Sequence, residues 1–210
     1  MPLAGGGPGD DTGLQDAANL GWKLAAAIQG WGGEWLLDSY HEECYPVGRQ
    51  VLRSSGALLR LALIHSPWAW HARNVIGELL LRVPAGAAAV AGTISGISVR
   101  YSAPPGSDRR VGTRMPDIAL TTGRLHEALR GGRFVLIGSG AASVDRPPQV
   151  DAATPVRPTG ELVLVRPDGY VAWVGTAPHF PDGARGYFRW PRSLGVGGSS
   201  RTANPPWDHR

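Results

Sequence analysis

Lysine is almost missing from this 210-residue chain: Lys23 stands alone beside 20 arginines. Basic residues outnumber the 17 acidic ones and give a formal charge of +4. Binding to nucleic acid requires that such charge gather on one face. Here the arginines are scattered from Arg49 to Arg210, and the densest pair, Arg109 and Arg110, lies in a Pro/Gly/Ser stretch. No nucleic-acid partner is expected. A single cysteine, Cys44, excludes an internal disulfide framework, a Cys-only zinc site and a C-x-x-C redox pair, and it fits a reducing cytoplasm. The longest apolar stretches, residues 58–64 and 85–93, fall far short of the ~20 residues a bilayer span needs. No membrane partner is expected, and the first residues carry no basic segment followed by an apolar run of the kind that marks a signal peptide. The chain also lacks a G-x-G-x-x-G strand–turn–helix and a Walker loop.

Glycine and proline are abundant, 30 and 18 residues respectively, while a hydrophobic share of 42% still supports a core. After a glycine-rich start, Thr12 and Gln15 have the spacing of a capping box, and Leu14, Ala17, Gly21, Leu24 and Ile28 recur at helical period. A second helix is expected from about Glu34 to Tyr45, broken by Pro46. A third is expected over residues 47–64, and a fourth capped by Ser66 and Pro67, with Ala72, Val75, Ile76, Leu79 and Leu80 as its buried stripe. Residues 84–95 suggest a fifth short helix, and residues 97–101 alternate like a strand. Residues 103–110, APPGSDRR, read as a linker. Beyond them a helix is expected over 124–130 and strands over 134–137, 161–165 and 170–174, the last two joined by the Pro-Asp-Gly turn at 167–169. Residues 181–210 lack periodicity and are expected to be disordered.

A Gly-rich segment that feeds a helix presents backbone N–H groups and a positive dipole end to an anion. By composition the segment GGGPGDDTG reads more readily as a flexible arm than as an anion site. Read on through the helix, residues 6–25 resemble the GG[QP]G-x-N-x-G-x-QDA-x-NL-x-WKLA signature of class A flavoprotein monooxygenases, the para-hydroxybenzoate hydroxylase-like family, in its aromatic polyketide branch. Leu36 to Glu42 with Tyr45 to Gly48 resemble LLDSYHxERxPVG, and Ser95 to Ile97 with Arg100 and Tyr101 resemble SGLDIRY. Residues 112–117, 133–136 and 165–173 are similar to the thioredoxin-like C-terminal domain of that branch.

The resemblance implies an α+β chain: the helical C-terminal part of a para-hydroxybenzoate hydroxylase-like FAD domain over residues 1–102, then the 103–110 linker, a small thioredoxin-like α/β domain without C-x-x-C over 111–180, and the tail. It implies FAD as cofactor, NADPH or NADH as reductant, and an aromatic polyketide or phenol as substrate. By position the flavin-ring contacts fall on Gly7, Gly9, Asp10, Asp11 and Thr12. Asp11 stands where the family has Asn, so its carboxylate either opposes a reduced, anionic flavin or caps the helix. The ADP-binding βαβ unit of the family is not in this sequence, so the chain reads as a C-terminal portion, inactive by itself, whose counterpart would be a separate chain or upstream sequence. The alternative is a non-catalytic accessory or remnant module that self-associates through an apolar face.

Other constellations lead elsewhere. His41-Glu42-Glu43-Cys44 superficially suggests metal ligands, but consecutive helical residues diverge by ~100°, so they read as a solvated face. No metal is expected. Trp22, Trp31, Trp35, Trp68 and Trp70 read as packing residues.

Overall fold

The computed structural model describes residues 8–62, 66–84, 99–176 and 186–188. Its first element, α1, spans Pro8–Ile28. The expected capping box at Thr12 does not form: the helix begins four residues earlier, Thr12 lies inside it, and Gln15 is buried. Proline in the first turn has its φ already set for a helix, and Asp10 and Asp11 there meet the positive dipole end. A 3-10 turn, Glu34–Leu36, leads into α2, Asp38–Ala62. The break expected at Pro46 is absent, and one helix of 25 residues runs through it. Ser39, Glu43, Cys44 and Val47 form a buried stripe on either side of the proline, and that packing holds the helix together across one lost backbone bond.

Helix α3, Pro67–Arg82, starts as expected, with extended Ser66 at its N-cap and proline directly after it, although the serine side chain accepts no cap bond. Its stripe is not buried: Val75, Ile76, Leu79 and Leu80 are all exposed, and Trp68 is 87% exposed. The 3.6-residue period is present, but nothing among the described residues covers it. The expected helix at 84–95, and all of the strand at 97–101 before Val99, lie outside the described residues.

The second half begins with a small hairpin, β1 (Ala119–Leu120) and β2 (Gly123–Arg124), followed by the short helix α4 (Leu125–Leu129). A four-stranded sheet follows, built from β3 (Phe134–Ile137), β4 (Val150–Ala153), β5 (Leu162–Val165) and β6 (Val171–Gly175). Its order is β4-β3-β5-β6, with β4 parallel to β3 and with β5 and β6 antiparallel. That is the thioredoxin-like arrangement, reduced: the β3–β4 crossover carries only a 3-10 turn, Ala141–Ser143. Residues 166–169 make the expected turn between β5 and β6, with Gly169 at φ 85°.

Strands β3 and β5 are buried at every position because the sheet is covered on both faces. Alternation sends Val135, Ile137, Val163 and Val165 towards Leu125 and Leu129 of α4. Phe134, Leu136, Leu162 and Leu164 join Trp22 and Ala26 of α1 and Leu36 in a second cluster. Full burial of each such side chain contributes roughly 1.5–3 kcal/mol. This cluster bridges the helical and sheet halves across the expected linker. The linker is itself pinned, with Arg110 paired to both Asp108 (2.9 Å) and Glu161 (2.7 Å).

The cluster also corrects the expected disordered tail at residues 186–188. Tyr187 and Phe188 are buried among Trp22, Trp31, Trp35 and Phe134, and Phe188 bridges to Gly32. Two adjacent aromatic side chains offer enough apolar area to order a segment that shows no periodicity. The rest of the tail lies outside the described residues.

Candidate functional site

Of the five expected flavin-contacting residues, Gly7 lies outside the described residues, while Gly9, Asp10, Asp11 and Thr12 occupy the first turns of α1. Pro8 has no N–H, and by helix geometry the first-turn amides of Gly9 and Asp10 have no i−4 carbonyl within the helix. Amides at the positive end of a 21-residue helix form the kind of site that favours negative charge.

One face of α1 is tied to the rest of the molecule by polar contacts at successive turns. The Gln15 amide donates to the Tyr170 hydroxyl, Asn19 donates to Glu43 (2.6 Å), and the Trp22 indole donates to Asp168 (3.1 Å). Lys23 donates to Ser39 (2.8 Å) and to Glu43 (3.0 Å). Arg166, which is buried, stands at the centre. Its guanidinium binds Glu43 through two nitrogens, at 2.7 and 3.0 Å, and Asp168 at 3.0 and 2.5 Å. The rings of Trp22, Tyr101 and Tyr170 surround it at 5.2–5.8 Å. Two cations and two carboxylates thus close a neutral buried group drawn from α1, α2 and the β5–β6 turn.

The environment of each group follows from this arrangement. Burial works against the Glu43 charge, but Arg166, Lys23 and the Asn19 amide outweigh it and hold the carboxyl at about 2. Burial lowers the Lys23 ammonium, and Glu43 opposes that shift. Glu43 faces two cations, so its carboxylate is ionised at neutral pH. The Cys44 thiol is pushed up to about 12, by burial first and by Asp16 second, so it is neither nucleophile nor redox partner.

Sequence reasoning missed this cluster. Glu43 sits inside the His41–Cys44 run that reads as a solvated face; His41 and Glu42 are indeed exposed, but Glu43 and Cys44 are buried. The available signals were a lone lysine in an arginine-only chain, four residues after Asn19 on one helical face, and an arginine opening the Pro-Asp-Gly turn. Among the described residues no group of His, Cys, Asp or Glu side chains is placed to hold a metal ion, and no helix is long and apolar enough to cross a membrane. Trp22, Trp31 and Trp35 pack in the core as expected, whereas Trp68 and Trp70 are exposed.

The opposite face of α1 is apolar and bare: Leu14, Leu24 and Ile28 are exposed beside Ala17, Ala18 and Gly21. One face of α1 is thus docked onto a reduced thioredoxin-like sheet, and its other face is uncovered among the described residues. Residues 2–55 match the family described as FAD binding domain, and residues 108–189 match that described as aromatic-ring hydroxylase, C-terminal. An uncharacterised aromatic compound monooxygenase of Bacillus subtilis is 40% identical over 186 residues, which cover 80% of this chain and 36% of the relative. A rifampicin monooxygenase of Streptomyces venezuelae is 40% identical over 177 residues, covering 81% of this chain and 36% of that protein. The structure of anhydrotetracycline hydroxylase from Streptomyces rimosus superposes with a TM-score of 0.70 at 35% identity, over 86% of this chain and 41% of that one. These likenesses define the class as FAD-dependent aromatic and polyketide monooxygenases. The chain matches the C-terminal part of such proteins, spanning about a third of the length of the curated relatives it matches.

Proposed function

We propose that this chain supplies the flavin-ring end and the C-terminal domain of an FAD- and NAD(P)H-dependent monooxygenase that hydroxylates an aromatic polyketide or phenol. The observation that carries this reading is α1, whose first-turn amides at Gly9 and Asp10 open a segment matching an FAD binding domain. FAD, when bound, supplies the chemistry, taking electrons from the nicotinamide coenzyme and activating O2. The residues of this chain bind and orient. Backbone amides of Gly7, Gly9 and Asp10 hold the electron-rich edge of the ring, with Asp11 and Thr12 beside it, and the helix dipole favours negative charge there. The buried charge group holds α1 in place.

The ADP-binding half comes from a separate chain or from upstream sequence, and it covers the bare faces of α1 and α3. The lone, buried Cys44 fits a cytoplasmic setting. The exposed stripe on α3 also supports a second reading, a non-catalytic module that self-associates through this stripe.

The test is co-expression of the 210-residue chain with the N-terminal portion of the Streptomyces rimosus hydroxylase that it does not match. A co-purifying complex that retains FAD and oxidises NADPH when given an aromatic polyketide supports the hydroxylase. A chain that self-associates and leaves the complex free of FAD supports the second reading.

A further inference from the structure

We propose that Arg166 is a positioning residue that sets the rotation and axial register of α1 from the tip of the β5–β6 hairpin; its consequence for flavin rests on the function proposed above. Apolar contact alone does not fix such a helix. Trp22 and Ala26 join the main cluster only towards the C-terminal half of α1, and hydrophobic burial is non-directional. Over residues 13–21 the buried side chains are Gln15 and Asn19, and both are held by polar partners on other elements, Tyr170 and Glu43. Those partners are in turn organised by Arg166. It clamps Glu43 through two nitrogens, and its own backbone N–H donates to the Tyr170 carbonyl at 2.8 Å. It also fixes Asp168, which receives the Trp22 indole.

The hairpin tip is a firm base for this role. Pro167 presets the turn, and Gly169 donates to the Arg166 carbonyl at 2.9 Å. A fork with fixed donor directions specifies one arrangement of three elements, which is what buried ionic groups do when they specify register. The C-terminal domain thereby acts on the start of α1 through Gln15, Asn19 and Trp22.

Hydrogen exchange on the full chain tests the proposal without any cofactor. Arg166→Met should speed exchange of the α1 amides at residues 12–24 by at least about tenfold, while β3 and β5 keep their protection. Tyr170→Phe, which removes one hydroxyl and no charge, should speed residues 12–16 by about threefold and leave the strands alone. Arg166→Lys keeps the charge without the fork and should fall between wild type and Arg166→Met. Unchanged α1 exchange in both Arg166→Met and Tyr170→Phe would overturn the proposal. Equal loss of protection in α1 and the strands would also overturn it, by making the group a general folding core. In the FAD-containing complex the same variants should shift the flavin absorption band. If no complex takes up FAD, the proposed function fails while the exchange result still decides the clamp.

Discussion

Glu43 has the most consequential environment of any residue in the chain. Its folded pKa of about 2 lies below its ordinary value of 4.5, so its charged state stabilises the fold fully above about pH 4.5. That contribution fades as the pH falls towards 2. A shift of this size corresponds to about 3 kcal/mol. Denaturant titrations at about pH 7 and about pH 3 should therefore show a larger loss of stability for wild type than for Glu43→Gln, because the variant lacks the titrating group. Equal losses would mean that Glu43 is not held ionised by Arg166 and Lys23. This residue also marks where legibility stopped. The sequence around it reads as a polar helix face, and its burial depends on Arg166 arriving from 123 residues away, a contact no local pattern encodes. The match of residues 2–55 to an FAD binding domain was legible because contiguous segments carry its signature.

Among the elements, strands β3, β5 and β6 and the turn at 166–169 were legible because each is a local signal: a short β-rich run, or a Pro-Asp-Gly turn. Strand β4, with the sequence Val-Asp-Ala-Ala, carries no strand signal and exists because its backbone pairs in parallel with β3. Helix α2 shows the converse, a strong local breaker overridden by tertiary packing. Pro46 is exposed and its ring costs the helix a backbone bond, so Pro46→Ala should raise stability by about 1–3 kcal/mol. A thermal melt that shows a clear rise in Tm is the expected result. A fall would mean that a bend at Pro46 is needed to bring Glu43 and Val47 together against the rest of the fold.

For the molecule as a whole, the exposed stripe on α3 gives the clearest prediction. Ile76 and Leu79 are 65% and 64% exposed and project from a helix that the described residues leave bare. Patches of this kind mark association sites. The double substitution Ile76→Glu with Leu79→Glu should shift the isolated chain from associated to monomeric species in analytical ultracentrifugation and leave the thermal transition of the sheet in place. Loss of the sheet transition would show that the stripe is core instead. The helical and sheet halves were legible as separate textures, but their union was not, since it depends on Trp22 meeting Phe134 edge-on at 5.4 Å and on Tyr187 and Phe188 returning to the same cluster.

The isolation of Lys23 has a practical side. With its ammonium wholly buried between Ser39 and Glu43, the folded 210-residue chain offers amine-directed reagents a single target, the terminal amino group. A dye or cross-linker placed there reports from a few residues before the start of α1. A second label can attach only when the buried charges separate. The rate at which doubly modified chains accumulate therefore clocks the opening of the clamp by mass alone, with no engineered site.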